Sequence, residues 1–458
     1  MKFKTAVSSA LTASLLCSTV LPFSVSAQSD ATVSFYNEWK DKYVVKNPYS
    51  SESQYYVCYS EEKFSDTNTE TAVTVSEAHG YGMLITASMA EYDNSAKDIF
   101  DGMYRFYSEH TSETGKHLMA WQQSDNGKAI IDTNGKDSAS DGDIDIAYSL
   151  LIADEIWGSN GDIDYKQSAI NIINDIMEYE VNKTDWLIQL GDWVYNDKDS
   201  DYYSATRSSD FIMQYFPVFA EYTDDDRWLN VYNNTYSIIS QFNDTYGNGL
   251  LPDFIIKDND GKFIPAPANF LESENDGNYY YNSCRCPWRI GMDYLINKNP
   301  VAKEYAENIS SFLYESTKNN PWEIIAGYTP DGKAVEDYND LCFVAPVLIS
   351  SACTDNQEWH GNIRETVIDY GDDIYFGDTI KMLCLIIDDG NWIVPENSYL
   401  AGDINSDGVC NIADAVLLQK WILDDSDINL PDWKAGDLCK DGQLNIFDLC
   451  VLKQKLSD

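Results

Sequence analysis

Three segments of the chain place carboxylates where acid–base chemistry is possible. Glu77 begins an apolar helical stretch, where the helix dipole lowers a carboxyl pKa, so a proton donor there needs burial or a nearby negative charge. Asp141 precedes a second helical stretch, a position that also suits helix capping. Glu272 and Glu274 lie in a polar loop that leads into the aromatic run 279–281 and then into two arginines. Carboxylates, arginines and aromatic rings in one loop suit a carbohydrate-binding cleft better than a protein core.

Two segments near the C-terminal end have the spacing of calcium-binding loops. Each has oxygen-bearing side chains at loop positions 1, 5, 9 and 12, and glycine at position 6 for the sharp turn. The predicted ligands are Asp403, Asn405, Asp407, Asn411 and Asp414 in the first loop, and Asp437, Asp441, Asn445 and Asp448 in the second. Cys439 takes the place in the second loop that Asn405 has in the first, so we expect weaker binding by the second loop.

The whole chain has 458 residues, of which 44% are hydrophobic, so it can bury a core of ordinary size. It has 75 Asp and Glu against 31 Lys and Arg, and the net charge of −44 repels phosphate backbones and anionic lipids. We therefore expect neither nucleic acid nor a membrane as a partner. Aromatic residues make up 13% of the chain, and their flat faces suit stacking on sugar rings.

Soft metal ligands are sparse. The chain has four histidines, and no cysteine pair has the spacing of a zinc site. Of the ten cysteines, Cys17 lies in the predicted leader; the remaining nine are an odd number, so at least one thiol stays free. In a domain this large, buried free thiols are a simpler expectation than a disulfide scaffold. We expect no cofactor for catalysis.

Residues 1–27 have the features of a signal peptide. Lys2 and Lys4 form a basic start, 10–20 is an apolar stretch, and 25–27 is a small-x-small cleavage site. No later segment has the roughly 20 apolar residues of a membrane span. The sequence thus predicts a secreted protein, with a large domain at 28–394, a linker at 395–400 and a small domain at 401–458.

Helical periodicity runs through most of the large domain. Ile146, Leu150, Ala153 and Trp157 recur at intervals of three and four residues, and comparable stretches follow each other along the chain. Alternating strand patterns are scarce. We therefore predict an all-α domain of ten or more helices, with the functional residues on the long polar loops between them.

Three motifs of the large domain resemble those of glycoside hydrolase family 8. Residues 139–157 fit the family signature, which begins Ala-Ser-Asp-Gly-Asp and ends in Trp. Residues 76–83 (Ser-Glu-Ala-His-Gly-Tyr-Gly-Met) fit the proton-donor segment, and residues 285–289 (Arg-Cys-Pro-Trp-Arg) fit a later family segment. The resemblance covers about residues 33–394. It implies an (α/α)6 barrel and hydrolysis of β-1,4-glycosidic bonds with inversion.

The same resemblance assigns roles to the site residues. Glu77 is the implied proton donor. One branch of the family has a basic Asp where this chain has Asn282; the Asn-containing branch takes its base from an upstream loop, where Glu272 matches best and Glu274 is the alternative. Asp141 is expected at the floor of the cleft. Expected substrate contacts are Trp121, Trp193, Tyr281 and Tyr375 by stacking and Arg285 by hydrogen bonds.

Residues 401–458 resemble a type I dockerin. The resemblance implies a calcium-folded module that docks on a cohesin domain of a scaffolding protein. The implied docking positions are Ile412-Ala413 and Ile446-Phe447, with nearby residues of the helices that follow.

These features together predict a secreted, scaffold-attached endo-β-1,4-glucanase that acts on cellulose or mixed-linkage β-glucan. Chitosanase and xylanase are alternative activities of the same fold, because the Asn-containing branch is diverse and an acidic cleft also accepts ammonium groups. A non-catalytic glucan-binding module is the alternative of a different class.

Overall fold

The structure of the protein is a computed structural model that describes residues 29–60, 62, 65, 70–371, 374–397, 401–405, 407–423, 430, 433–439 and 442–457. The predicted signal peptide and Asp441 lie outside these residues. The domain boundaries predicted at 27/28, 394/395 and 400/401 stay predictions.

Twelve α-helices form the large domain within the described residues. Their bounds are α1 Asp30–Tyr43, α2 Ser76–Ser88, α3 Ala96–Glu109, α4 Ser140–Trp157, α5 Tyr165–Tyr179, α6 Tyr215–Thr223, α7 Arg227–Tyr246, α8 Cys286–Asn297, α9 Pro300–Thr317, α10 Leu341–Ala352, α11 Gln357–Asp369 and α12 Tyr375–Asp388.

The connections carry short antiparallel strands and single 3-10 turns. The strands are β1 Val44–Lys46, β2 Tyr55–Val57, β3 Thr71–Val75, β4 Gln122–Asp125, β5 Ile130–Asp132, β6 Val181–Asn182, β7 Leu187–Ile188, β8 Thr206–Arg207, β9 Phe254–Lys257 and β10 Phe263–Pro265. They pair as β1-β2, β3-β4-β5, β6-β7 and β8-β9-β10. The 3-10 turns are Asp192–Val194, Ser208–Asp210, Ser283–Arg285 and Pro321–Glu323.

The even-numbered helices form an inner ring and the odd-numbered helices an outer one. Around the inner ring α2 packs on α4, α8 on α10, α10 on α12, and α12 on α2; the 3-10 turn Ser208–Asp210 bridges α4 and α8. Each outer helix packs on an inner neighbour, α1 on α12, α3 on α2, α5 on α4, α7 on α6, α9 on α8 and α11 on α10. Helices α2 and α10 are apolar and buried on nearly every side, as an inner helix must be. The predicted (α/α)6 barrel is confirmed.

Hydrogen bonds between α1 and α12 join the two ends of the large domain. The Trp39 indole Nε1 donates to Thr379 Oγ1 at 2.9 Å, and the Tyr43 hydroxyl donates to Asp378 Oδ2 at 2.6 Å. These side chains are buried, so the seam between the first and last helices belongs to the core.

The small domain has helices α13 Ile412–Ile422, α14 Trp433–Gly436 and α15 Ile446–Lys455, with α13 packed on α15. Within its described residues, a separate small core cluster consists of Ile404, Ala415, Leu418, Leu449 and Leu452.

The nine cysteines of the described residues are free thiols, as expected, and five of them are buried. Among the helices that the structure describes, none is long and apolar enough to cross a membrane.

Candidate active site

Two of the predicted catalytic residues, Glu77 and Asp141, lie at the N-terminal ends of inner helices, whereas Glu272 lies in a loop. Because each inner helix alternates with an outer helix that runs back, the inner helices all run in one direction and their first turns meet at one end of the barrel. Glu77 lies in the first turn of α2, Asp141 in the first turn of α4, and Arg285 directly before α8. Residues more than 200 positions apart in the sequence thus share one site.

Two glycines allow α2 and α4 to approach closely enough to bring Glu77 and Asp141 together. A Cβ atom on Gly142 would lie 2.5 Å from Ser76, and one on Gly80 would lie 2.7 Å from the Asp145 Cβ. Any larger side chain at either position would force the two helices apart. The glycines of both sequence motifs are therefore packing residues that set the spacing of the carboxyl groups.

The Arg285 guanidinium lies at the centre of the site. Its Nη1 contacts Glu77 Oε2 and donates to Asp141 Oδ2 and to the Tyr81 hydroxyl, each at 3.1 Å. Its Nη2 donates to Asn282 Oδ1 at 3.0 Å. The Arg285 side chain is 2% exposed, so water screens its charge less than it would at the surface.

A second buried arginine pair holds α8 in place. Arg289, one turn after Arg285, makes a two-pronged ion pair with Asp145 of α4, and both side chains are fully buried. Bidentate pairing fixes the orientation of both groups. The pair anchors the start of α8 against α4 and so aims Arg285 at Glu77 and Asp141.

Glu77 keeps a proton more tightly than an ordinary carboxylic acid. Burial, together with the negative charge of Asp141, raises the pKa of Glu77 to about 7, although Arg285 and Arg207 oppose the shift. The Glu77 side chain remains 18% exposed, which leaves one edge open to the cleft. A carboxyl group with this pKa holds a proton that it can donate near neutral pH.

Asp141 has the opposite protonation state. Burial alone would raise the pKa of Asp141, but the guanidinium groups of Arg207 and Arg285 hold it below its usual value. Arg207 Nη2 donates to Asp141 Oδ1 at 3.1 Å, and Arg207 Nε donates to Asp210 Oδ1 at 3.1 Å. Two carboxyl groups in contact with one arginine therefore differ in charge, which is the pattern of an acid beside a stabilising anion.

Glu272 lies on the other side of Asn282 from Arg285. The Asn282 Nδ2 donates to Glu272 Oε2 at 2.8 Å, while Asn282 Oδ1 accepts from Arg285. Glu272 is 47% exposed and has Arg207 Nη1 3.9 Å from its Oε1. Glu77 and Glu272 are thus separated by two side chains, Arg285 and Asn282.

Glu274, the alternative base, is not part of this network. It is exposed and makes no hydrogen bond or ion pair with any residue that the structure describes. The loop that carries both glutamates turns around Asp276. The Asp276 Oδ2 accepts from the Leu271 and Glu272 amides at 2.7 and 3.0 Å. Asp276 Oδ1 accepts from the Ser273 amide at 2.8 Å.

A buried carboxylate also organises the Asn282 segment. Asp253 accepts hydrogen bonds from the amides of Tyr280, Asn282 and Ser283 at 2.7–3.1 Å and from the Ser283 hydroxyl at 2.6 Å. These bonds fix the backbone that carries Asn282 towards both Arg285 and Glu272.

The predicted aromatic contacts occupy different positions around the site. Trp193 is exposed and packs edge-on against Tyr202, with ring centroids 5.3 Å apart. Trp121 is half-buried, and its Nε1 donates to the Asn134 carbonyl at 3.1 Å. Tyr281 is half-buried and donates to Asp340 Oδ2 at 2.9 Å.

Tyr375 is buried at the start of α12, where its ring packs edge-on against Tyr43 at 5.6 Å. The charge of Glu77 contributes to a raised pKa of the Tyr375 phenol, after burial as the main cause, which places this hydroxyl near the acid. Its role, like those of the other three rings, stays a prediction.

Sequence reasoning missed Arg207, Asp253 and Asp276. Arg207 lies in the two-residue strand β8, and its neighbours in the sequence give no sign of the Asp141 contact. Asp253 lies just before β9 and about 30 residues before the segment that it holds. Asp276 lies in the same loop as Glu272, where Asp among Ser and Asn residues is a general sequence signal of a turn stabilised by side chains.

The C-terminal loops have the backbone that the glycine positions predict. Gly408 and Gly442 have φ values of 82° and 75°, in the left-handed region. Asp403 accepts from the amides of Asp407 and Gly408 at 3.1 and 2.8 Å, and Asp437 accepts from the Gly442 amide at 2.8 Å.

Asn411 and Asn445 each cap the following helix through a capping box with Asp414 or Asp448. Within the described residues, no three His, Cys, Asp or Glu side chains gather as a metal group. The donors of these loops are a mixed set of carboxylate and amide oxygens, which fits a hard cation.

Two proteins with which the chain aligns over most of its length are named as glucanases. It is 39% identical over 370 residues to a beta-glucanase of Niallia circulans, covering 80% of this chain and 86% of that protein. It is 35% identical over 393 residues to an endoglucanase of Bacillus sp. strain KSM-330, covering 84% and 82%.

Solved structures share the barrel. The apo structure of a beta-1,3-1,4-glucanase from Paenibacillus sp. X4 matches with a TM-score of 0.73 at 37% identity, over 81% of this chain and 96% of that one. A cold-adapted family 8 xylanase in complex with substrate matches with a TM-score of 0.65 at 16% identity, over 81% and 94%, which shows the fold alone.

Family models match both parts of the chain. The model of glycosyl hydrolases family 8 matches residues 10–390, and the model of the dockerin type I domain matches residues 401–457. The chain therefore belongs to glycosyl hydrolase family 8, a family of inverting glycoside hydrolases, and carries a type I dockerin domain.

Proposed function

We propose that the protein is an endo-acting β-1,4-glucanase that cleaves cellulose or mixed-linkage β-glucan with inversion, with Glu77 as the acid and Glu272 as the base. The observation that carries this proposal is the pair of carboxyl groups on either side of the Arg285–Asn282 bridge. Inverting glycosidases need their two carboxyl groups wide apart, roughly 6.5–9.5 Å, to leave room for a water molecule. Two intervening side chains are consistent with such a separation.

The acid step uses the proton that Glu77 holds. Glu77 donates this proton to the glycosidic oxygen as the bond to the anomeric carbon breaks, and its own new charge is then balanced by Arg285. Asp141 stays ionised because of Arg207 and Arg285, so its negative charge favours the positive charge that develops on the sugar ring.

The base step uses Glu272. Its exposed carboxylate accepts a proton from a water molecule, which attacks the anomeric carbon on the face opposite the leaving oxygen. Asn282 cannot accept this proton because its carbonyl oxygen is a poor base; instead its Nδ2–H orients the Glu272 carboxylate. Trp121, Trp193, Tyr281 and Tyr375 are proposed to contact the sugar rings.

The substrate class rests on the two relatives above 30% identity named beta-glucanase and endoglucanase, and on the beta-1,3-1,4-glucanase structure at 37%. Xylanase is the second candidate, because family 8 xylanases have the same fold. A panel of barley β-glucan, carboxymethyl cellulose, xylan and chitosan tests the choice, with reducing ends as the readout. We expect the highest kcat/KM on barley β-glucan or carboxymethyl cellulose. A higher kcat/KM on xylan or chitosan would contradict the proposed substrate class.

Proton NMR of the first product tests the mechanism. A β-linked glucan should yield the α-anomer before mutarotation, because one displacement inverts the anomeric carbon. An initial β-anomer would reject inversion whatever the substrate.

The dockerin is proposed to bind Ca²⁺ and a cohesin domain. Asp403, Asn405, Asp407 and Asp414 of the first loop and Asp437, Asp441 and Asp448 of the second would hold the ions, with Asn411 and Asn445, and a bound cation would neutralise these clustered charges. Ile412 and Phe447 are largely exposed, which suits docking to a partner. A secreted enzyme held in an extracellular, cellulosome-type complex follows from this reading.

A further inference from the structure

Trp322 is an exposed aromatic residue at the active-site end of the barrel that lies outside the proposed catalytic site. It lies in the 3-10 turn Pro321–Glu323 between α9 and α10 and is 48% exposed. Outer helices end where inner helices begin, so the turn after α9 lies at the same end as Glu77. Tryptophan is enriched at binding interfaces because it combines a large apolar ring with a polar N–H.

The Trp322 ring is supported from one side. It stacks on Tyr370, which directly follows α11, with ring centroids 5.2 Å apart and an angle of 21° between the planes. A stacked partner fixes the indole plane, and the indole Nε1 makes no hydrogen bond to a described residue. Ring face and N–H donor are together available to a ligand.

The turn that carries Trp322 is rigid. The Asn320 side chain accepts from the Trp322 amide at 3.3 Å, and Asn339 Nδ2 donates to the carbonyls of Pro321 and Ile324 at 3.3 and 2.5 Å. The Tyr370 hydroxyl donates to the Asn339 carbonyl at 3.5 Å. Both rings are therefore tied to Asn339.

Asn339 also connects this turn to the cleft. Its neighbour Tyr338 is exposed, and the Tyr338 and Tyr281 hydroxyls lie 3.0 Å apart; its other neighbour Asp340 accepts from Tyr281 at 2.9 Å. Tyr281 adjoins Asn282 in the catalytic network. The 338–340 segment thus joins the turn that carries Trp322 to Tyr281, next to the proposed catalytic residues.

We propose that Trp322, stacked on Tyr370, is a distal binding platform for the β-glucan chain, beyond the sugars held at the cleavage site. This proposal rests on the proposed function and adds a contact that only a long substrate reaches. The occupant is a neutral glucan, because the platform is aromatic, lies at the active-site end of the barrel and is joined to the cleft through the 338–340 segment. Flat pyranose faces stack on the indole, and a sugar hydroxyl accepts from its Nε1.

The test compares Trp322→Ala, Trp322→Phe and the wild type, each as the full chain, on barley β-glucan and on p-nitrophenyl β-cellobioside. We expect Trp322→Ala to lower kcat/KM on barley β-glucan about five- to tenfold, mainly through KM, and Trp322→Phe to retain most of it. Activity on the short substrate should stay within twofold of wild type. Leu229→Ala is the matched control, since Leu229 is similarly exposed but lies near the start of the outer helix α7, at the other end of the barrel.

Native gel electrophoresis in barley β-glucan gives a reading that does not depend on turnover. Trp322→Ala should be less retarded than wild type, with unchanged thermal unfolding. Equal losses on the long and short substrates, or unchanged kinetics on both, would overturn the platform. A wild-type protein that neither cleaves β-glucan nor is retarded by it would overturn the proposed function as well, so the two failures are distinct.

Discussion

The proposed proton donor, Glu77, has to keep its proton until the glycosidic oxygen arrives, and its surroundings make this possible rather than the residue itself. A glutamate at a helix start would normally ionise, because the helix dipole favours its charge. Burial and Asp141 reverse that preference, and Arg285 limits the reversal so that the pKa is about 7.

Glu77→Gln should lower kcat on β-glucan by about 10²–10⁴-fold, because the amide keeps the shape but cannot donate a proton. Retardation in a β-glucan gel should stay close to that of wild type. Turnover within tenfold of wild type would place the acid elsewhere.

The pH dependence follows from the direction of the same shift. As the proposed acid, Glu77 would act in its protonated form, and its pKa is raised to about 7, so kcat/KM should fall as pH increases through about 7. Measuring kcat/KM on soluble β-glucan from pH 4 to pH 9 tests for this decrease. Activity that stays constant up to pH 9 would contradict the assignment.

The choice between Glu272 and Glu274 can be tested by a matched pair. Glu272→Ala should abolish hydrolysis, and azide should restore part of the turnover as an α-glycosyl azide, because a small anion enters the space of the missing base. Glu274→Ala should have nearly wild-type activity, since Glu274 is exposed outside the network. The reverse result would move the base by two residues.

At the level of elements, the site depends on loops that buried carboxylates hold in shape. Asp276 binds three amides of the 271–273 turn, including that of Glu272, and Asp253 binds three amides of the 280–283 segment. Each carboxylate fixes the backbone of its loop through hydrogen bonds, as backbone hydrogen bonds do in helices and strands.

Asp276→Ala should therefore lower kcat about 10²-fold by freeing the Glu272 backbone, since a displacement of about 1 Å is enough for a loss of that size. The pH at which kcat/KM falls, which we attribute to Glu77, should not change, because Asp276 does not contact Glu77. Asp276→Asn should lose less activity than Asp276→Ala, since its amide keeps one acceptor. A change in that pH, or equal losses in both variants, would contradict this role.

The sequence predicted some elements better than others. Helices such as α4 and α10 have enough residues for their periodicity or apolar character to be read. Glu77 and Asp141 were identified as site residues because the motifs that contain them resemble those of family 8. The strands have two to five residues, too few for an alternating pattern to be recognised. Arg207 and Asp253 were missed because their partners are far away in the sequence and only the closed barrel brings them together.

For the whole molecule, the barrel and the dockerin have separate cores and should lose structure under different conditions. Among the described residues of the dockerin, the core cluster has five buried apolar residues, which is little for an independent domain. Removing Ca²⁺ with EDTA should therefore unfold residues 401–458 and abolish cohesin binding, while hydrolysis of soluble β-glucan continues.

The two calcium loops should differ in their importance: Asp403→Ala should weaken cohesin binding more than Asp437→Ala. Asp403 is buried and binds two loop amides, and its loop has Asn405 where the second loop has Cys439. Calorimetry of the two variants with Ca²⁺ and a cohesin measures the difference. Absence of calcium uptake by the wild-type chain would contradict the dockerin assignment.

The contacts between α1 and α12 can form only after almost the whole barrel has been synthesised. Trp39 and its partner Thr379 are 340 residues apart, which corresponds to about 20–70 s of translation at 5–20 residues per second. Until then α2 lacks the neighbour that completes its burial, and the surroundings of Glu77 are incomplete. The dockerin follows α12 in the chain, so a polypeptide interrupted before its last barrel helix also lacks the module that would attach it. Scaffold attachment thus selects chains whose barrel has been made in full.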